Sequence, residues 1–322
     1  MSARTRVIVM SITAPVVAFA ILGGFLGKVM AREETYQHLR IFDDVVGMIA
    51  NYYVEEADMD KVMLGAMHGL ADSLDPDSAY LTPAEVKQVE SGTPLPPAGV
   101  GLELTRQYYL RVIAARDNSP AAKAGLRTGD YVRAINDKPT REMSVWEGMR
   151  ALRGAPGSKV SLTIIRGNAA DPHVVELTRE PEPGSAVSAR IAAPAVGYVR
   201  VAALGRDTAD QLKANVDDVV KRGAAKVIVD VRRVSSGAID DGLAMARLFV
   251  AKGTLAQRES KSGAHETIAA SAGDGAITVP IVVLIDTGTS GAAEVFASAL
   301  AGNNRAELIG EHTIGRAAAQ KL

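Results

Sequence analysis

The sequence predicts a multidomain chain of mixed α+β and α/β class. In order, it holds an N-terminal membrane anchor, a helical segment, a small β-rich module and an α/β core of mainly parallel strands. Three observations carry this prediction. An uncharged stretch, Val7–Gly27, opens the chain. Two Pro- and Gly-rich stretches, Ser91–Gly99 and Glu180–Ala195, divide the remainder. Beyond the second, apolar strands and amphipathic helices alternate, which is the pattern of parallel strands joined by right-handed crossovers. The expected segments are therefore 1–31, 32–97, 98–180 and 181–322.

Composition removes several classes of function. A length of 322 residues allows two domains beyond the anchor. The net charge of −1 gives no reason to expect a nucleic-acid partner. The chain has no Cys, which excludes disulfides and thiolate chemistry, and its five His form no HxxxH pair. No metal and no cofactor is expected.

The anchor is read from charge and length. Arg4 and Arg6 precede the uncharged stretch, and Lys28 and Arg32 follow it. Such a stretch spans roughly 30 Å as a helix, close to the hydrocarbon core of a bilayer. It reads as an uncleaved single-pass signal-anchor, with cleavage after Val29-Met30-Ala31 as the alternative. Either reading exports the remainder to a bacterial periplasm or cell exterior, with the membrane itself as a partner.

Glu33–Ser73 reads as helical, with Leu39, Phe42, Val45, Val46, Ile49 and Tyr53 on one stripe. Asp75-Pro76-Asp77 ends that stretch, and Thr82-Pro83 restarts a short helix. In the β-rich module, Ser119-Pro120 starts a single helical turn that Gly125 ends. Tyr131–Ile135, Val160–Arg166 and Val174–Leu177 are strands, and Ser144-Val145-Trp146-Glu147 is a capping box opening a helix. In the core, Val196–Ala203, Lys226–Val231, Val279–Ile285 and Ala306–Ile309 read as strands. Asp207–Arg222 (Leu212, Val216, Val219 and Val220 inward), Ala238–Val250 and Ala292–Leu300 read as helices, and polar Gln257–Ile277 as an exposed loop. The stretch IDTGTSGAAEVFASAL joins a buried strand to a helix through a turn of small residues. A helix N-terminus there presents free N–H groups to a nucleophile or an anion.

The run SPAAKAGLRTGDYVRAIND, following Gly99-Val100-Gly101-Leu102, resembles a PDZ domain. The resemblance implies that the N–H groups of this loop hold a peptide's C-terminal carboxylate. The peptide would add as a strand beside Leu102–Leu104, with Val145 and Met149 lining the side-chain pocket or packing in the core.

The whole exported chain resembles the C-terminal processing, or tail-specific, serine peptidases. The resemblance rests on NYYVEEADMDKVMLGAMHGLADSLDPDSAYLTPAE, GYVRVAAL, VIVDVRR, VPIVVLIDTGTSGAAEVFASAL and AELIGEHTIGRAAAQ, in that order. The family's chemistry is a Ser nucleophile, a Lys general base and a Gln four residues after the Lys, beside an oxyanion hole of two backbone N–H groups. Here the Ser position is Gly291, three residues before Glu294, the Lys position is Arg316 and the Gln is Gln320. Gly237 and Ala292 stand where the oxyanion donors belong. Glycine carries no nucleophile, and a guanidinium stays protonated near neutrality. The expectation is an exported pseudoenzyme that binds protein tails through its PDZ domain. The alternative is an active serine endopeptidase using Ser290 as a displaced nucleophile. Arg316 is read either as a clamp on a bound carboxylate or as an internally paired cation. The family continues with further strands, so a truncated core or an edge open to self-association or to active relatives is also expected.

Overall fold

The computed structural model describes Thr13 and residues 36–167, 171–181 and 186–319. Apart from Thr13, the predicted anchor lies outside these residues, as do Gln320 and Lys321. Among the described residues no helix is long and apolar enough to cross a membrane.

Two compact units divide at Ala66 and Met67. The first contains helix α1 (residues 36–52) and the opening turns of α2 (Met59–Asp72). The predicted single helical stretch is thus two helices separated by residues 53–58. Leu39, Val45 and Tyr53 of the predicted stripe are exposed, while Phe42, Val46 and Ile49 are half-buried.

The second unit continues with α3 (Pro83–Glu90), where the Glu85 carboxylate closes a capping box on the Thr82 N–H at 2.8 Å. The β-rich module follows. Strands β1 (Ala98–Gly99), β2 (Leu102–Gln107) and β3 (Tyr109–Ala115) lead to the short helix α4 (Pro120–Lys123), which Ser119 caps. Then come β4 (Tyr131–Ile135), β5 (Lys138–Pro139), α5 (Val145–Ala151), β6 (Lys159–Ile165), β7 (His173–Thr178) and β8 (Glu180–Pro181). The main sheet runs β2-β3-β4-β6-β7 and leaves one side of β2 as a free edge. The β1–β8 pair brings the two ends of the module together. Leu104, Leu110, Val132, Leu162 and Ile164 fill its interior.

The core opens on β9 (Ala186–Ala193), inside the stretch read as a Pro-rich boundary. The correction has a clear cause. AVSARIAA lacks the bulky β-branched run of a central strand, yet as an edge strand it needs only one paired side. Next are β10 (Val196–Ala203), α6 (Thr208–Lys221), β11 (Lys226–Asp230) and α7 (Ile239–Arg247). A hairpin, β12 (Thr254–Glu259) with β13 (His265–Ala269), occupies the predicted loop, because Gly263 in the left-handed region closes a turn between two segments able to pair. Strand β14 (Ile281–Ile285), α8 (Ala292–Gly302) and β15 (Ala306–Gly310) complete the described core.

The sheet order is β15-β14-β11-β10-β9, parallel throughout except for β9 against β10. Leu212, Val216 and Val219 of α6 are buried, as their spacing predicts, but Val220 is 41% exposed. It is turned about 100° from Val219 and leaves the apolar face. Val199, Val229, Val283 and Phe296 form the centre of the core cluster. The carboxyl ends of β11 and β14 therefore feed adjacent loops, the usual position of a site in such a sheet.

Candidate functional site

The turn after β14 is rigid because its own polar groups fold it. Asp286 Oδ1 accepts the Gly288 N–H at 3.0 Å and the Arg233 N–H of the neighbouring loop at 2.8 Å. Thr289 Oγ1 donates to the Val231 carbonyl at 3.0 Å, and Ser290 N–H donates to the Val234 carbonyl at 2.9 Å. The loops that follow β11 and β14 thus form one structure, and Asp286 serves as its brace.

Gly291 sits at φ 60°, ψ −120°, a conformation costly for any residue with a Cβ. Space is not the constraint. A Cβ there would lie 3.8 Å from the Arg316 carbonyl oxygen and 3.9 Å from that of Ser235. A sharp strand-to-helix turn of the kind that exposes a nucleophile in hydrolases is therefore present, with room for a side chain at position 291. Ser290 is 2% exposed, and among the described residues its hydroxyl meets no base within hydrogen-bond reach.

Glu294, 6% exposed, binds the terminal segment to this turn. Its carboxylate accepts N–H groups from Gly291 at 3.0 Å, Gly315 at 2.6 Å and Arg316 at 2.8 Å. The Gly291 N–H also donates to the Arg316 carbonyl at 2.8 Å. Position 316 is consequently fixed beside position 291.

The Arg316 guanidinium is internally paired. Its Nε donates to Asp77 Oδ2 at 2.6 Å, Nη2 contacts Asp77 Oδ1, and Nη1 donates to the Leu104 carbonyl at 3.1 Å. Asp77 was legible only as a helix stop, since nothing in the sequence links it to a residue 239 positions away.

Gly237 lies at φ 94°, and a Cβ there would fall 2.6 Å from the Leu204 Cβ, so both backbone and neighbour demand glycine. Ser235, Gly237, Ser290, Gly291 and Arg316 line one cleft of about 380 Å³, with Glu103 of β2 on its far wall. Among the described residues neither the Gly237 nor the Ala292 N–H has a protein acceptor. Ala292 is buried at the start of α8 and offers only that N–H. A second cavity of about 220 Å³ adjoins through Ser235 and Gly237 and reaches Gly101, Arg116 and Arg153 of the β-rich module. Of the predicted peptide-contacting residues, Gly99, Val100, Gly101 and Leu102 are buried, with Gly101 at φ 73°. Val145 is 6% exposed inside the module's apolar cluster, and Met149 packs against that cluster half-buried.

An ionic cluster that sequence reasoning missed supports the loop carrying Gly237. Asp230, 1% exposed at the end of β11, accepts two hydrogen bonds from the Arg232 guanidinium, at 2.9 and 2.6 Å, and the Tyr198 hydroxyl at 2.6 Å. Burial alone would raise the Asp230 carboxyl. The Arg232 and Tyr198 hydrogen bonds, with the Arg200 charge, instead hold it below the usual carboxylate range. Arg200 and Arg233 both bind Asp117, each at 2.8 Å, fastening the β-rich module to the core.

Comparison with known proteins agrees with this architecture. Residues 195–322 match the model of peptidase family S41, and residues 111–166 match a PDZ domain. The chain is 29% identical over 322 residues to a carboxy-terminal-processing protease of Bartonella bacilliformis, covering 95% of this chain and 74% of that protein. It is 30% identical over 275 residues to the carboxy-terminal processing protease CtpA of Bacillus subtilis, covering 84% of this chain but 59% of that protein. Among solved structures, the photosystem II D1 C-terminal processing protease superposes with a TM-score of 0.69 at 24% identity, over 85% of this chain and 81% of its own. That last likeness is one of fold.

Proposed function

Because the chain belongs to the S41 family of C-terminal processing peptidases and carries a PDZ domain, we propose that it binds the C-terminal tails of proteins without cleaving them. One observation carries the reading. The turn that would present the nucleophile keeps its shape and its space, but holds Gly291, and the residue locked beside it is a permanently charged arginine.

Serine–lysine proteolysis needs a hydroxyl to attack and an un-ionised amine to take its proton. Gly291 removes the first. Arg316 cannot supply the second, because a guanidinium stays protonated near neutrality. The cleft retains the backbone N–H of Gly237, which can receive a carbonyl or carboxylate oxygen, while Ala292 lies fully buried behind Gly291. Tail recognition falls to the PDZ domain, through strand addition at the free edge of β2 and carboxylate capture by the Gly99–Leu102 loop. The basic-flanked stretch Val7–Gly27 supports a membrane-anchored protein with its bulk in the periplasm or cell exterior. There it would occupy tails that active relatives process.

The full chain, mixed with an unstructured polypeptide ending in apolar residues, tests the reading. Saturable binding that disappears when the peptide's C-terminus is amidated, with the peptide recovered at full length by mass spectrometry, is the expected result. Progressive shortening of the peptide, abolished by Ser290→Ala, would overturn it.

A further inference from the structure

Strand β2 is the edge to which a tail would add, and part of that edge is taken. Strand addition consumes the outward carbonyls and N–H groups of the receiving strand. The Leu104 carbonyl already accepts Arg316 Nη1 at 3.1 Å. The same guanidinium holds Asp77 by a two-pronged contact. Two residues along β2, Arg106 binds Asp72 at 2.7 Å and the Met143 carbonyl at 2.8 Å. The segment from Asp72 to Asp77 is thus fastened at both ends to β2, once through Arg106 and once through Arg316. On the opposite wall of the groove, Arg150 of α5 donates to Gln88 of α3 at 3.1 Å.

We propose that Arg316 is a latch on the peptide groove. It caps the Leu104 carbonyl and, by gripping Asp77, holds the 72–77 segment over the free edge of β2. A tail adds to β2 only after the guanidinium lets go. The position that would carry a catalytic base in the family has become a gate between the silent cleft and the PDZ domain. The fork of the guanidinium suits this role, because one planar group reaches a carboxylate and a carbonyl together, whereas an ammonium is a single point charge.

The inference rests on tail binding as the function, but one arm of its test does not. In the first arm, a fluorescent unstructured peptide with an apolar, free C-terminus is titrated into the full chain as wild type, Arg316→Gln and Asp77→Asn. Loss of a charge-assisted hydrogen bond that competes with the peptide should tighten binding by on the order of tenfold in Arg316→Gln. Asp77→Asn should move in the same direction. A variant that merely damaged the fold would not tighten it. Unchanged affinity in both variants overturns the latch while leaving tail binding intact, and weaker binding in Arg316→Gln overturns it by making Arg316 a ligand of the tail. In the second arm, hydrogen exchange is followed without peptide. Faster exchange across residues 72–82 in Arg316→Gln supports the latch even if no peptide binds, and unaltered exchange there overturns it.

Discussion

The Glu294 carboxylate accepts the backbone N–H of Arg316 at 2.8 Å, across a separation of 22 residues. Through this one contact the first turn of α8 sets where the terminal segment runs, and so places a guanidinium beside the Gly291 turn. The contact is made to the backbone of residue 316, so it holds the segment in place independently of the side chain there.

That device is testable by removing the acceptor. In Glu294→Ala the Gly315 and Arg316 N–H groups lose the buried carboxylate that accepts them. The expected cost is about 1–2 kcal/mol, an unfolding midpoint lower by roughly 2–8 °C. Glu294→Gln retains an acceptor oxygen and should lose less than half of that. Differential scanning calorimetry on both variants gives the comparison, and equal midpoints would remove Glu294 from its role.

Gly242 fixes the approach of α7 to α8. A Cβ there would lie 2.0 Å from the Ala292 carbonyl oxygen. Helix propensity alone favours Gly242→Ala by about 1 kcal/mol. Overpacking against a backbone atom costs roughly 1–3 kcal/mol and should win, because a main-chain carbonyl cannot rotate away. Chemical denaturation should therefore show a net loss of stability, and a gain would mean that the two helices are not this close.

Asp230 gives the fold an acid-sensitive joint. Its carboxyl is held below the usual range, so its contribution is fully present above the unfolded value near pH 4. That contribution fades as pH falls through the lower folded value. Asp230→Asn removes the anion that Arg232 and Arg200 share, but Arg232 is half exposed and Arg200 keeps Asp117, so the cost should be about 1–3 kcal/mol at pH 7. Urea midpoints of wild type and variant should converge below about pH 4. A gap that stays constant with pH would contradict this account.

The sequence shows more of this molecule's periodic elements than of its joints. The spacing of Leu212, Val216 and Val219 locates α6, and the run IVVLI locates β14, because burial of one face or both leaves a local pattern. Strand β9 and the β12–β13 hairpin left no such pattern. Their short, mixed sequences are settled by edge pairing with partners that sequence does not reveal. At the site, the register against Glu294 pairs positions 291 and 316, and the Gly291 N–H does donate to the Arg316 carbonyl at 2.8 Å. The pairing of Arg316 with Asp77, and of Arg200 and Arg233 with Asp117, joins residues far apart in the chain and carries no local signature.

The proposed function requires that no hydroxyl of the cleft, Ser290 included, be activated for attack. Fluorophosphonate labelling of the folded full chain, read by mass spectrometry, addresses it directly. Gly291→Ser with Arg316→Lys supplies both groups, yet Asp77 would hold the new amine in its charged form. Labelling is therefore expected to become fast only when Asp77→Asn is added to that pair. The account predicts no adduct on the wild type and an adduct at position 291 in the triple variant. A stoichiometric adduct on wild-type Ser290 would contradict it.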